Sequence, residues 1–251
     1  MLQEQLIHPV WKTTLEDGRL IRFKDWWMLD IPTVGIQNTH RGGWSEVGRH
    51  CCGESVFYVK RQQNHFIRYI GSGFRKMPTF KREFENIKWY QQKQIPTLDY
   101  VYFSWRIQAG NAEAILVTVA LDAYSSLDEL DDLAAIPQDR QQSLANAIGK
   151  SIRRMHDAGI RHCSLHPKHI FVKPDGDYWK LRFIDLETSR ANLGLRTYKI
   201  RDLETLARRS KQEQTDFMQH ILMSYLGKKS IDGEVSWWQE KIRRRTRKKL
   251  K

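Results

Sequence analysis

Apolar residues recur at spacings of three or four between Gln138 and Ala158, at Leu144, Ile148, Ile152 and Met155, the signature of a helix with one buried face. Gly159 supplies its stop. Upstream the pattern shortens to strand-length runs. Val10 to Leu15 and Leu20 to Phe23 flank Glu16-Asp17-Gly18 and predict a hairpin, and Ser55 to Val59 predicts a strand closed by Lys60. Val101 to Ile107 and Ala114 to Leu121 predict a strand pair around Gly110-Asn111. One helix interrupts this β-rich half, because Phe84, Ile87, Trp89 and Tyr90 approximate helical spacing within Lys81 to Gln94 and Pro96 ends the pattern. Asp122 to Ser126 reads as a connector, and Leu127 to Ala135 predicts a short helix. Beyond Gly159 two apolar strands, Ile170 to Val172 and Trp179 to Ile184, bracket the turn Pro174-Asp175-Gly176-Asp177. Ile200 to Arg209 and Gln212 to Leu226 return to helical spacing before Gly227. A β-rich half followed by a helical half predicts an α+β chain of two lobes, 1–121 and 122–236, with 237–251 as a basic tail.

That tail changes the picture most. From Trp237 to Lys251 it holds eight Lys or Arg against one Glu, a large share of the net charge of +13. A solvated, frayed tail is one reading. An interfacial anchor is another, since paired Trp beside cations suits an anionic membrane surface, where each basic residue contributes about 1 kcal/mol. Nucleic-acid binding is the least favoured, because no reading module accompanies the charge. Hydrophobic content of 40% with nine Trp fills a core and excludes disorder throughout. No apolar run approaches the roughly 20 residues of a membrane span, and the N-terminus MLQEQLIHPVWK has no basic-then-apolar signal pattern, so a cytoplasmic protein is expected. Cys51, Cys52 and Cys163 make neither a disulfide framework nor zinc spacing, so reduced thiols are expected.

The chemistry concentrates in two places. Lys60 ends the strand FYVK, preceded by the glycine-containing segment Arg41 to Val47, in which Gly42 and Gly43 permit close backbone approach to a ligand. A strand lysine is usually solvated, but Glu83 on the following helix can hold it rigid and aim it at phosphate oxygens. Glu85, on the opposite helix face, is the alternative partner. The second place is HCSLHPKHIFV, His162 to Val172. Alone, His162 reads as a satisfied core histidine. Here a loop ends at His169, and the following hairpin returns to deliver Asp185, so His169 and Asp185 are expected to be neighbours able to share a metal ion bridging phosphates.

The order of glycine loop, strand lysine, helix glutamate, H-x-x-x-x-x-x-H loop and I-D-L-E segment resembles the protein-kinase-like fold. RGGWSEV, FYVKRQ, TFKREFENI, IPTL, HPKHIFV, FIDLETSR and IRDLETL, in that order from Arg41 to Arg209, resemble blocks of the bacterial lipopolysaccharide core kinase family, the WaaP and InaA group, which phosphorylates heptose sugars of the inner core. The resemblance implies a bilobal fold, ATP and Mg2+ as cofactors and a lipopolysaccharide core saccharide as acceptor. It implies that Gly42 and Gly43 lie in the phosphate-covering loop, that Lys60 contacts the α and β phosphates with Glu83 orienting it, and that Asp185 holds magnesium assisted by His169. Asp202 corresponds to the aspartate that braces the catalytic loop, and Ala120 to Tyr124, with Asp122, to the hinge against which adenine stacks.

The chain departs from the pattern at Ser164. Kinases place an aspartate two residues after the loop histidine, where it orients or deprotonates the attacking hydroxyl, and this chain has H-C-S. General-base assistance is commonly worth about 10²- to 10⁴-fold. Phosphoryl transfer depends mostly on positioning and charge stabilisation, so activity can survive the loss. His166, where many kinases place a lysine, is a substitute base if its imidazole is neutral near pH 7. Three functions are therefore weighed: a sugar kinase, a pseudokinase silenced at Ser164, and a hydrolase using Ser164 with His162 or His166. The last has no G-x-S-x-G elbow to support it.

Overall fold

A computed structural model describes residues 2–35, 37–39, 42–68, 76–130, 136–210 and 215–249. Arg41, residues 131–135 of the expected helix Leu127 to Ala135, Gln212 to Gln214, Leu250 and Lys251 lie outside the described residues. The chain divides into two compact units, residues 1–88 with 98–120 and residues 89–97 with 121–251.

The first unit is built on a five-stranded sheet. In chain order its elements are β1 (Leu2–Ile7), α1 (Lys12–Asp17), α2 (Phe23–Trp27), β2 (Trp44–Cys52), β3 (Ser55–Gln63), the short β4 (Phe66–Arg68) and β5 (Lys76–Pro78), α3 (Thr79–Gln92, grouped here through Lys88), β6 (Tyr100–Gln108) and β7 (Asn111–Val119). Sheet order is β1-β6-β7-β3-β2, antiparallel throughout. Strand periodicity of two sends Phe57 and Val59 of β3 to one face, where they join Leu15, Leu20, Phe23, Trp26, Tyr102 and Val117 in a buried cluster. The β6–β7 hairpin closes through Ala109 and Gly110, both at positive φ (47° and 80°), as a two-residue turn of this twist requires.

The expected hairpin over Val10 to Phe23 is instead helical. Pro9 opens a 3₁₀ turn, Pro9–Trp11, that runs into α1, and the turn signal at Gly18 is the end of that helix, its amide donating to Thr14 O at 3.1 Å. The buried positions Leu15, Leu20, Phe23 and Trp26 point into one core rather than alternating across a sheet, so burial overrides the local turn chemistry.

The second unit contains β8 (Ser125–Ser126), α4 (Gln138–Asp157), β9 (Ile160–Arg161), β10 (Ile170–Asp175), β11 (Tyr178–Phe183), β12 (Arg190–Ala191), α5 (Arg196–Arg209), α6 (Thr215–Leu226) and α7 (Gly233–Lys249). The predicted stripe of α4, Leu144, Ile148, Ile152 and Met155, is fully buried, and α4 meets α6 so closely that a Cβ on Gly149 would lie 2.5 Å from the Ile221 carbonyl. Leu127 to Glu129, the start of the expected short helix, form a turn. Through Lys249 the basic stretch is part of α7 rather than a frayed tail. Val235 and Trp238 are buried, and the fully buried Glu204 of α5 accepts from Lys249 (2.9 Å) and Arg208 (2.6 Å). No helix among the described residues is long and apolar enough to cross a membrane.

Candidate active site

In the first unit the face of β3 opposite Phe57 and Val59 carries Lys60 and Gln62. Gln62 is fully buried and caps α3: its Oε1 accepts from Thr79 Oγ1 (2.7 Å) and from the amide of Phe80 (2.9 Å), while its Nε2 donates to His65 O. A strand side chain thus fixes the start of the helix that bears Glu83, one turn further on. Lys60 Nζ donates to Glu83 Oε1 at 2.6 Å, and the Glu83 side chain is 2% exposed. A lysine so held presents its charge at a fixed point. Glu85 pairs with Lys81 at 3.2 Å. Of the segment Arg41 to Val47, Gly42 and Gly43 form the turn into β2, and Trp44 to Val47 are already strand. Gly42 has φ +76°, and a Cβ on Gly43 would lie 2.5 Å from Gln63 O.

In the second unit a loop runs from β9 through His162 and Ser164 to the 3₁₀ turn Pro167–His169. Asp202 of α5, 2% exposed, holds its start: the carboxylate accepts from the amides of His162 (2.7 Å) and Cys163 (3.0 Å) and from Nε2 of His156 (3.2 Å), whose Nδ1 faces Tyr225 Oη at 3.0 Å. With those bonds in place Cys163 adopts φ +67°, a conformation that side chains rarely take. His162 Nε2 donates to Ile184 O at 3.0 Å, linking the loop to the segment that carries Asp185. Burial pushes the His162 imidazole down to about 4, so it is neutral at pH 7.

The six paired positions of the β10–β11 hairpin, from Ile170↔Phe183 to Asp175↔Tyr178, bring its two ends together. His169 Nε2 and Asp185 Oδ2 are 3.2 Å apart. His169 Nδ1 lies 2.8 Å from Ser164 O and donates to it, which leaves Nε2 directed at the carboxylate. Asp185 is itself at φ 59°, ψ 55°, a left-handed conformation that aims its side chain away from the course of the strand. One imidazole nitrogen and one carboxylate fit a divalent cation that takes its other ligands from phosphates and water. No group of three or more potential protein ligands occurs among the described residues.

Ser164 meets its neighbours through its carbonyl, which accepts from His169 Nδ1 and from the amide of His166, both at 2.8 Å. No hydrogen bond joins its hydroxyl to an imidazole among the described residues, so the geometry offers nothing to the hydrolase reading. His166 is half-buried, and burial, together with the charges of His169, Arg209, Lys168 and Arg208, holds it below its ordinary value and hence neutral at pH 7. In the hinge segment, the Ala120 amide donates to Val56 O in the first unit, while in the second unit Asp122 sits in an exposed turn closed by Tyr124 N to Leu121 O at 2.8 Å. Sequence reasoning missed Gln62, His156 and Tyr225. Their roles rest on hydrogen bonds to residues distant in the chain, for which no local pattern exists.

The order of a β-sheet unit and a helical unit is that of a protein-kinase-like phosphotransferase. Residues 24–225 match the model of the Lipopolysaccharide kinase (Kdo/WaaP) family. The InaA protein of Escherichia coli strain K12 is 28% identical over 174 residues, 68% of this chain and 80% of that protein. A structure of WaaP in complex with acyl carrier protein has the same fold, with a TM-score of 0.68 over 96% of this chain and 99% of that one at 15% identity. The chain belongs to the lipopolysaccharide kinase (Kdo/WaaP) family and is by membership a lipopolysaccharide core kinase.

Proposed function

We propose that the protein transfers the γ-phosphate of ATP to a hydroxyl of a heptose in the lipopolysaccharide inner core. The Lys60–Glu83 pair carries this reading, because a lysine locked by a carboxylate that is 2% exposed has a fixed geometry suited to the α and β phosphates. Asp185 and His169 would hold magnesium, which supplies charge neutralisation for the phosphates. Gly42 and Gly43 would cover those phosphates, and the segment around Asp122 would border the adenine. With serine at position 164, neutral His166 is the group in the loop best able to take the proton of the acceptor hydroxyl. The exposed cations of α7, beside half-exposed Trp237, support docking at an anionic membrane surface near the cytoplasmic acceptor.

Ser164 favours a second reading, a pseudokinase that binds nucleotide without efficient transfer. Incubation with γ-labelled ATP, magnesium and dephosphorylated core oligosaccharide, followed by sugar analysis, separates the two. Label on heptose is the expected result. An ATP-dependent thermal shift without label would favour the second reading, and neither response would sink both.

A further inference from the structure

Beside the loop bearing Ser164 the second unit leaves positive charge unpaired. β9 and β12 form a two-stranded ribbon in which Arg161 and Arg190 stand directly opposite one another. Opposed residues of an antiparallel pair share a face with Cβ atoms about 5 Å apart, and like charges placed there are destabilising. A third guanidinium joins them. Arg161 lies 3.9 Å from the centre of the Tyr198 ring on α5, and Arg201, one turn along that helix, lies 5.5 Å from the same ring. Arg161, Arg190 and Arg201 form no ion pair among the described residues, and Nε of Arg161 is buried without a hydrogen-bond partner. Two nearby acids are committed elsewhere, Asp202 to the loop amides and Asp157 to Arg153 and Lys199.

Three guanidiniums with no ion pair among the described residues can serve as a receptor for an anion, since each offers paired N–H donors to a carboxylate or phosphate. Their place along the chain says which anion. Arg161 precedes Ser164 by three residues, so their Cα atoms lie within roughly 11 Å, and Arg190 follows Asp185 by five. We propose that Arg161 and Arg201, which share the Tyr198 ring, and Arg190, opposite Arg161 on the ribbon, form a subsite for a carboxylate or phosphate group of the acceptor saccharide. This rests on the reading of the chain as a saccharide kinase and names what in the acceptor is recognised. A neutral sugar gives the cluster no counter-charge, so the subsite selects acidic saccharides.

Calorimetric titration of the full chain tests it with three probes: an acidic inner-core oligosaccharide, its carboxyl-reduced and dephosphorylated counterpart, and inorganic phosphate. The acidic saccharide is expected to bind roughly tenfold or more tightly than the neutral one. Arg190→Gln and Arg201→Gln, both at exposed positions, are each expected to weaken the acidic saccharide about tenfold and leave the neutral one unchanged, with Arg190→Lys keeping part of the affinity. Equal affinity for the two saccharides, or unchanged binding in both Gln variants, overturns the subsite. So does inorganic phosphate competing at the same concentration as the acidic saccharide, which would assign the cluster to free anions. Binding is read without turnover, so a chain that binds acidic saccharide yet transfers no phosphate overturns the kinase reading and leaves the subsite standing.

Discussion

Replacing Asp202 with Ala removes the acceptor on which the start of the catalytic-type loop hangs. The carboxylate is 2% exposed and takes two backbone amides, at 2.7 and 3.0 Å, and the His156 imidazole at 3.2 Å. A hydrogen bond to a charged acceptor contributes about 1.5–3 kcal/mol, and the three share one group, so they do not simply add. Losing a buried charged partner typically costs about 3–5 kcal/mol. The Cys163 backbone, at φ +67°, is in a conformation that side chains rarely take, and its amide bond to Asp202 helps hold it there. At about 2–4 °C per kcal/mol for a chain of this size, Asp202→Ala is expected to lower the melting temperature by about 6–20 °C. Asp202→Asn keeps one acceptor oxygen and loses less. Thermal unfolding followed by tryptophan fluorescence gives the stability, and hydrogen exchange at the amides of His162 and Cys163 gives its location. An Asp202→Ala protein within about 1 kcal/mol of wild type, with unchanged exchange at those amides, would refute the bracing role.

Three further outcomes follow from the same geometry. His162, depressed to about 4 by burial against an ordinary 6.5, accepts protons more readily in the unfolded chain, so stability is full above pH 6.5 and falls by up to about 3 kcal/mol as pH drops toward 4; urea midpoints of wild type and His162→Gln across that window check the sign. Glu204→Gln removes the buried charge that pairs with Arg208 and Lys249, and trypsin is expected to cut the last turns of α7 several-fold faster. Gly43→Ala forces a Cβ to 2.5 Å from Gln63 O and is expected to cost about 1–3 kcal/mol, more than Gly42→Ala, where the space is open and only the positive φ resists; parallel melts rank the two.

What the sequence disclosed depended on how local the cause was. Helix α4 was legible because its stripe from Leu144 to Met155 is a property of the segment itself, and the meeting of His169 with Asp185 was legible because a hairpin must return to its starting point. The region from Pro9 to Trp27 was not, because Glu16-Asp17-Gly18 serves equally as a hairpin turn or a helix end, and only burial of Leu15 and Trp26 decides between them. β1 escaped notice for another reason. It is a half-exposed edge strand, and LQEQLI shows no clean alternation. The capping of α3 by Gln62 and the paired Arg161 and Arg190 depend on strand register, which a single sequence does not specify.

Phosphate transfer from ATP to a core sugar, with serine where an acid is usual, is measured by counting label passed from γ-labelled ATP to dephosphorylated core oligosaccharide by wild type, Lys60→Ala and Asp185→Ala. Wild type is expected to transfer label, and each variant to transfer about 100-fold less or lower still. Wild-type transfer no greater than that of the two variants would contradict the kinase reading.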